Sequence, residues 1–192
     1  MPSATRLSAG ARREQILDVT KGLAASEGFH AISIEAVARR AQISRPIVYE
    51  HFGDLGGLLD ALVERETGRA LGQLREFLPT EPGGRDVLLG ALRGYLAAAR
   101  SDPDTWRLVL MPPEGAPAVL RARIAAGRSA VIAQLTEALG PGLAAPDPEL
   151  TARMLSALAD EAVRLSLTDP ERYDDARILR LAEWILGRLA PA

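Results

Sequence analysis

The sequence predicts an all-α fold, with a head of three helices at the N-terminus followed by a larger helical domain. Apolar residues recur at helical spacing in almost every periodic segment of the 192 residues. No segment shows the strict alternation of apolar and polar residues that is typical of a half-buried strand. Stretches rich in proline and glycine separate the periodic segments, which gives about nine helices.

The composition is that of an ordinary globular protein and excludes several kinds of site. With 47% hydrophobic and 25% charged residues, the chain can bury a core. The absence of cysteine excludes a disulfide scaffold and a thiolate metal site, and His30 and His51 are the only histidines. No apolar run approaches the roughly 18 residues of a membrane span, and no signal peptide is apparent. We therefore expect a cytoplasmic protein without a metal or another cofactor.

Recognisable caps bound the three helices of the head. Gly28 suits the residue that follows a helix C-terminus. Ser33 and Ser44 are the N-caps of the second and third helices, because a serine hydroxyl can accept a hydrogen bond from the first turn. The predicted helices of the head are 9–27, 34–41 and 45–52. Gly53 ends the third helix, and we place the domain boundary there. The resulting domains are 1–53 and 54–192.

Six further helices are predicted in the C-terminal domain. A long fourth helix begins at the Asp54 cap and runs to about Phe77, and a short sixth helix opens at Asp102-Pro103. The other predicted helices of this domain are 85–100, 117–139, 148–167 and 174–189.

The segment 33–52 has the pattern of two short helices that pack together across a tight turn. Apolar residues on the first of these helices fall at i, i+3, i+4 and i+7, and so form one stripe. They are Ile34, Val37, Ala38 and Ala41. Val48 and Phe52 can face this stripe from the next helix, with Ile43 filling the turn. This arrangement is typical of a helix-turn-helix, whose second helix enters the major groove of DNA.

The outward face of the third helix carries groups suited to DNA. Arg45 can contact guanine, and Pro46 with Ile47 offers an apolar surface to a thymine methyl group. Tyr49 and His51 place hydrogen-bonding groups at the level of the phosphates. A capping serine leaves N–H groups free for a phosphate oxygen. The predicted DNA-binding residues are Ser33, Ser44, Arg45, Pro46, Ile47, Tyr49 and His51.

The head is also the basic part of the chain. Residues 1–52 contain seven basic and five acidic side chains, a charge of +2, which leaves −4 on the rest because the total is −2. A basic head favours a polyanionic partner. An N-terminal arm that reaches DNA and a frayed basic tail are both open interpretations of Arg6, Arg12 and Arg13. Arg39 and Arg40 are expected at a solvated helix end.

From about Arg13 to Leu59, the chain resembles the TetR family of transcriptional repressors. The motifs that carry the resemblance are Gly28-Phe29, Ser33-Ile34, Val37-Ala38, Ala41-Gln42-Ile43-Ser44, Tyr49-Glu50-His51-Phe52 and Leu58-Leu59. The resemblance implies an all-α homodimer whose heads bind palindromic operator DNA. It also implies a C-terminal domain with a small-molecule pocket and the dimer interface. Ligand binding would respace the heads and release the DNA.

Two positions depart from the family pattern. The family usually has glycine where Gln42 stands and lysine where Leu55 stands. That lysine lies near the DNA backbone, so the leucine removes one expected phosphate contact.

The last two helices are apolar around more than half of their circumference, which one core face cannot absorb. On 148–167 these residues are Leu150, Met154, Leu155, Leu158, Ala159, Ala162, Val163, Leu165 and Leu167. On 174–189 they are Ile178, Leu179, Leu181, Ala182, Trp184, Ile185, Leu186 and Leu189. We expect the two helices to form a four-helix interface in a homodimer. The alternative is two fully buried central helices.

Large apolar residues near the Pro112-Pro113 break can line a ligand cavity between helices. The candidates are Phe77, Tyr95, Trp106, Leu110 and Met111. The plainer alternative is that each belongs to an ordinary core. Arg121 and Arg128 lie seven residues apart on one helix face. They could pair with an acidic ligand, although a solvated face is the simpler interpretation.

The function that we expect is that of a DNA-binding transcriptional regulator, and specifically a repressor that a small-molecule effector releases from a palindromic operator. One alternative is a helix-turn-helix dimer whose C-terminal domain binds no effector. Another is that 33–52 is only a hairpin within a helical bundle. The last is an all-α enzyme that depends on a carboxylate such as Asp160 or Glu161. No nucleophile motif surrounds either histidine, and we expect no catalytic residues.

Overall fold

The computed structural model describes residues 7–81, 83–113, 115–139 and 145–189, and over these ranges it contains nine α-helices and one 3₁₀ turn. The helices are α1 (Ala9–Glu27), α2 (Ile34–Arg40), α3 (Arg45–Phe52), α4 (Leu55–Phe77), α5 (Arg85–Ser101), α6 (Pro103–Leu110), α7 (Ala118–Leu139), α8 (Pro148–Thr168) and α9 (Asp175–Leu189). The 3₁₀ turn, Phe29–Ala31, connects α1 to α2. None of the helices in the described ranges combines the length and the apolar character that crossing a bilayer requires.

The predicted all-α fold is confirmed, and the helix ends agree with the prediction to within about one residue. α2 ends at Arg40, because Ala41 is its C-cap and not its last helical residue. Gly28 has a φ of +84°, which favours glycine over any residue with a side chain. The 3₁₀ turn was not predicted. It brings Phe29 into the core and places His30, expected in a loop, on a turn of helix.

Hydroxyl and carboxylate side chains define where several helices begin. The Ser33 hydroxyl accepts a hydrogen bond from the Ala36 N–H at 3.1 Å, and the Asp54 carboxylate accepts one from the Gly57 N–H at 2.8 Å. Each satisfies a donor that has no partner within its own helix. The residues whose side chains cap a helix in this way are Ser8, Ser33, Asp54, Asp102 and Asp147.

The core of the head extends into the C-terminal domain. Val37 of α2, Val48 of α3 and Leu58 of α4 are fully buried in one cluster. Leu108 of α6 and Leu120 of α7 belong to the same cluster. The first half of α4 therefore packs with the head, and the boundary predicted between α3 and α4 separates two helices within a continuous core.

The C-terminal domain has two further clusters of buried residues. Trp106 is fully buried in the first, which combines residues of α4, α5, α6 and α8. Leu139 belongs to the second, which lies between α7 and α8. Because α5 contacts both α4 and α9, and α7 packs along α8, the six helices can enclose a space near Trp106.

Candidate DNA-binding surface and ligand cavity

Apolar contacts hold α2 and α3 in the predicted arrangement. Val37, Ala38 and Val48 are buried, and Phe52 packs against the same core. The Ile43 N–H donates to the Ala38 carbonyl at 3.0 Å and closes the turn. The inner face of α3 is therefore fixed, and its opposite face lies at the surface.

Gln42 completes this turn in a conformation that glycine adopts more readily. Its φ is +55°, the one positive value at a non-glycine residue within the described ranges. A side chain in the left-handed region costs about 1 kcal/mol relative to glycine. The departure from the family pattern at this position therefore carries local strain.

Four of the predicted DNA-binding residues on or next to α3 lie at the surface. Ser44, Arg45 and Pro46 are exposed, and Tyr49 is 49% exposed. Ser44 occupies the N-cap position, but its hydroxyl makes no capping hydrogen bond. By contrast, the hydroxyl of Ser33 is engaged as the cap of α2.

Three neighbouring positions are less accessible to DNA than the exposed residues of α3. Ile47 is half-buried and packs against the head core, so only part of its side chain can meet a thymine methyl group. His51 is also half-buried. Leu55, where the family usually has lysine, packs against the head core as the first residue of α4.

Arg45 is paired with a carboxylate that sequence reasoning did not connect to it. Its Nη2 lies 3.0 Å from Oε2 of Glu35, in the first turn of α2. Both side chains are more than half exposed, so the pair contributes little to stability. Arg45 can therefore exchange Glu35 for another acceptor at small cost.

The first basic residues of α1 support α3. Arg13 Nη1 donates to the His51 carbonyl at 2.8 Å, and its guanidinium lies 4.4 Å from the centre of the Phe52 ring. Arg12 and Arg13 are both within α1, so the arm and the frayed tail are wrong interpretations for these two residues. Arg6 lies outside the described residues.

The basic end of α2 is exposed, in agreement with a solvated helix end. Arg39 is exposed, and Arg40 pairs with Glu27 at 3.1 Å while remaining 56% exposed. Neither arginine belongs to the surface of α3.

A cavity of about 610 Å³ lies among α4 to α9. Four of the five predicted pocket residues are in its wall, and these are Phe77, Tyr95, Trp106 and Leu110. Met111 instead packs against the cluster of buried residues around Trp106. The volume is in the range of small-molecule sites, and most of the lining residues are apolar.

Aromatic rings form one side of this cavity. The Tyr95 and Trp106 ring centres are 4.8 Å apart at an interplanar angle of 60°, and those of Phe77 and Tyr95 are 6.1 Å apart. Trp106 Nε1 donates to the Gln73 side chain at 2.8 Å. The indole N–H is thus satisfied, and the ring is held in place as a rigid wall.

One group of polar side chains, which we call the polar triad, lines the same cavity. The Tyr95 hydroxyl donates to Oδ1 of Asp160 at 3.0 Å, and Arg128 Nη2 lies 2.8 Å from Oδ2. The pKa of Tyr95 is raised well above its ordinary value by burial, and further by the charge and hydrogen bond of Asp160. The Tyr95 hydroxyl therefore stays protonated and donates a hydrogen bond to the Asp160 carboxylate.

The sequence did not predict that Asp160 would pair with Tyr95 and Arg128. Asp160 was considered only as a catalytic carboxylate, and Arg128 only as a solvated residue or as a partner of an acidic ligand. The signal was present in α8, where Asp160 falls in the same helical register as the buried Ser156 and Val163. A charged residue at core spacing needs buried partners. Arg121, the companion of Arg128 in the prediction, donates to the Ala116 carbonyl at 2.7 Å.

A buried ionic cluster, which we call the junction network, joins the head to the wall of the cavity. Lys21 Nζ of α1 lies 3.2 Å from Glu66 of α4, 2.6 Å from Asp102 and 2.7 Å from the Thr105 hydroxyl of α6. The Glu66 side chain is completely buried and also accepts a hydrogen bond from Thr105. Burial alone would raise the pKa of Asp102, but Lys21 and Thr105 lower it below its usual range.

Arg65 extends the junction network along α1. It contacts Glu66 at 2.7 Å and reaches Glu14 and Asp18 of α1, each at 2.9 Å. Although burial lowers the pKa of Arg65, these carboxylates raise it above its ordinary value. α1 is thus tied to α4 by two basic residues, one from each helix.

The N-terminal part of the chain matches a known family. Residues 16–62 match the family described as "Bacterial regulatory proteins, tetR family", and this range contains α2, the turn and α3. The N-terminal segment is that of a TetR-type helix-turn-helix head. The match confirms the resemblance inferred from the motifs of this segment.

Sequence similarity to individual curated proteins covers about half of the chain. The HTH-type transcriptional activator FasR of Mycolicibacterium smegmatis is 28% identical over 104 residues, which are 54% of this chain and 48% of FasR. The chain thus spans about half the length of the curated relatives that it matches.

Several solved structures are similar over nearly the whole chain. The SmeT–triclosan complex has a TM-score of 0.69 at 24% identity, over 93% of this chain and 90% of SmeT. FadR of Bacillus subtilis in complex with stearoyl-CoA has a TM-score of 0.67 at 18% identity, over 92% of this chain and 97% of FadR. At these identities the likeness shows a common fold.

The last two helices of the chain carry an exposed apolar face. Its five members are each 50–59% exposed, and they are Leu150, Met154, Leu158, Leu181 and Trp184. The spacing of four residues on α8 places its three members on one side. The alternative in which both helices are fully buried within one chain is therefore wrong. Leu189, also predicted for this face, has a side chain outside the part of the chain that the structure describes.

Proposed function

We propose that the chain is a cytoplasmic, homodimeric transcriptional repressor that binds a palindromic operator and leaves it when a small apolar effector fills the cavity. The observation that carries this proposal is the junction network, because it joins α1 of the head to two helices that line the cavity. The largely apolar cavity of about 610 Å³ favours an effector over the alternative of a dimer that binds none.

In the proposed complex, the exposed face of α3 enters the major groove. Arg45 leaves Glu35 and donates two hydrogen bonds to a guanine, which supplies sequence preference. Pro46 and the accessible part of Ile47 meet a thymine methyl group. The hydroxyl groups of Ser44 and Tyr49 bind phosphates, and they position the head without selecting a sequence.

Residues at the margin of this surface mainly hold the ends of α2 and α3 in place. Ser33 holds the start of α2, which is the helix that crosses the DNA backbone in this motif. His51, half-buried and tied to Arg13, sets the end of α3 and offers its ring to a phosphate.

The exposed apolar face of α8 and α9 is the proposed contact with a second copy of the chain. The match of the head to the TetR family favours this occupant, and five large apolar side chains grouped on two adjacent helices suit a four-helix interface. A dimer places two heads on two successive half-sites, which explains why the operator should be palindromic.

The proposed release mechanism is a shift between two orientations of the head. On α4, Glu66 of the junction network is adjacent to Thr67 of the cavity wall, and on α6 Thr105 is adjacent to Trp106. An effector that displaces this wall changes the geometry around Lys21 and thus the position of α1. The shift cannot exceed the difference in the effector's affinity for the two orientations.

Selection from random duplex DNA, followed by fluorescence anisotropy, tests the DNA-binding part of the proposal. We expect a palindromic consensus whose binding survives physiological salt. Arg45→Ala should weaken binding to that site by about 1–3 kcal/mol and relax the preference at one position of each half-site. Arg39→Ala, an exposed arginine on α2, is the matched control. Equal weakening of consensus and random DNA by Arg45→Ala would contradict the assigned base contact.

Sedimentation velocity tests the dimer. Leu158→Glu places a charge in the exposed apolar face and should convert the chain to monomers that bind the palindrome weakly. Exposed Val87, on α5 and outside this face, provides the matched control Val87→Glu. A Leu158→Glu protein that remains dimeric would place the interface elsewhere.

A further inference from the structure

We propose that the cavity selects a neutral hydrophobic alcohol or phenol, whose hydroxyl group donates a hydrogen bond to the polar triad. The inference rests on the proposed function, since it assumes that the cavity is the effector site. It goes further by assigning the chemistry of the effector from the hydrogen bonds that Tyr95, Asp160 and Arg128 already make.

The triad presents acceptors to a ligand at the aromatic side of the cavity. The single hydroxyl proton of Tyr95 is committed to Asp160 at 3.0 Å, which leaves only lone pairs on the phenolic oxygen. An ionised Asp160 carboxylate has further lone pairs and no proton. A hydroxyl group matches this set, because it can donate to Tyr95 or Asp160 and accept from a remaining N–H of Arg128.

An anionic ligand at the triad is disfavoured because it would lie beside the Asp160 carboxylate, which is only 8% exposed and already neutralises Arg128 at 2.8 Å. Two further arginines line the cavity, and of these Arg177 donates from Nη1 to the Arg172 carbonyl at 2.7 Å, whereas Arg123 is exposed to solvent.

A cationic ligand is disfavoured for the complementary reason. Asp160 and Arg128 carry opposite charges 2.8 Å apart, so the triad as a whole has no net charge to offer an ammonium group. Such a group would lose its hydration and gain no unpaired counter-ion. A hydroxyl group pays a much smaller desolvation cost and leaves the triad intact.

The rest of the ligand has to be apolar. The wall opposite and beside the aromatic rings is built mainly from aliphatic residues of α4, α5, α7 and α9, among them Leu74, Leu92, Ile124 and Ile185. Transfer of an alkyl chain or a ring from water to such a wall supplies most of the affinity, and the hydroxyl group supplies the selectivity.

Isothermal titration calorimetry with three matched probes tests the inference. They are para-hexylphenol, para-hexylanisole and para-hexylbenzoate, which share one apolar body and differ in the polar group. We expect the phenol to bind about tenfold more tightly than the anisole, since only the phenol can donate, with the benzoate weaker than the phenol. Asp160→Asn should reduce the advantage of the phenol, whereas exposed Asp86→Asn should not.

Each other outcome overturns the inference in a recognisable way. Equal affinity for phenol and anisole means that the cavity selects shape alone, and tighter binding of the benzoate means that Arg128 serves an anionic ligand. In both cases the effector function of the cavity stands. If none of the probes binds to a chain that still binds its DNA site, the effector function itself is contradicted. Should Asp160→Asn fail to fold, the comparison of the three probes on the unaltered chain decides.

Discussion

The helix-turn-helix and the polar triad differ in how far apart along the chain their parts lie. The surface of α3 is built within residues 33–52, by apolar residues at helical spacing and by one short turn. The triad lies on α5, α7 and α8. Tyr95 and Asp160 are 65 positions apart in the sequence, and Arg128 and Asp160 are 32 positions apart. Both are polar surfaces held by a core, but only the first is encoded in one contiguous segment. The comparison shows that local patterns can be recognised in a sequence, whereas a site assembled from distant helices requires the fold.

The junction network connects these two regions, and it should be the most sensitive point between them. Lys21→Met leaves the fully buried Glu66 with fewer cationic partners, which should lower the free energy of unfolding by about 3 kcal/mol. Urea denaturation measures this change. Arg40→Met, which breaks the exposed pair with Glu27, is the control and should cost less than about 1 kcal/mol. Equal losses for the two variants would mean that the network contributes no more than a surface pair.

The pH dependence of stability can distinguish the contribution of the Asp102 charge from the contributions of its capping and packing. Its pKa is lowered in the folded chain, so it stabilises the fold above the pKa of the unfolded state, near 4, and this stabilisation is lost as the pH falls through the folded pKa. Asp102→Asn keeps a side chain that can cap α6. We expect a loss of about 1.5 kcal/mol at neutral pH that shrinks in acid. A loss that does not vary with pH would assign the effect to capping or packing.

The smallest predicted effect lies in the head and has the opposite sign. Gln42→Gly should raise the free energy of unfolding by about 0.5–1 kcal/mol, because the turn requires a positive φ. Thermal unfolding followed by circular dichroism is sufficient to measure it. Gln134→Gly within α7 should destabilise the chain, since its backbone is helical and its side chain donates to the Pro79 carbonyl at 3.0 Å. Destabilisation by Gln42→Gly would indicate that its side chain makes a contact worth more than the strain.

These differences explain which parts of the molecule the sequence could predict. The caps at Ser33 and Asp54 and the stripe through Val37 and Ala38 act within one or two turns of helix, so they were identified correctly. Four aromatic or apolar residues were placed in the cavity wall because large side chains near a helix break commonly line a space between helices.

The partners of charged residues could not be predicted in the same way. The contact of Arg45 with Glu35 crosses between two helices, and that of Lys21 with Asp102 spans 81 positions. No periodicity in the sequence specifies which carboxylate a buried lysine meets. Only the packing of α1 on α4 and α6 does so.

The central claim is that occupation of the cavity changes the affinity of the head for DNA. The most direct test is fluorescence anisotropy on the selected palindromic duplex, with and without para-hexylphenol at a concentration that calorimetry shows to fill the cavity. We expect the ligand to weaken DNA binding by at least about fivefold, and para-hexylanisole at the same concentration to have a smaller effect. An unchanged affinity for the duplex, with the cavity filled, would contradict it and leave a helix-turn-helix dimer that does not respond to the compound it binds.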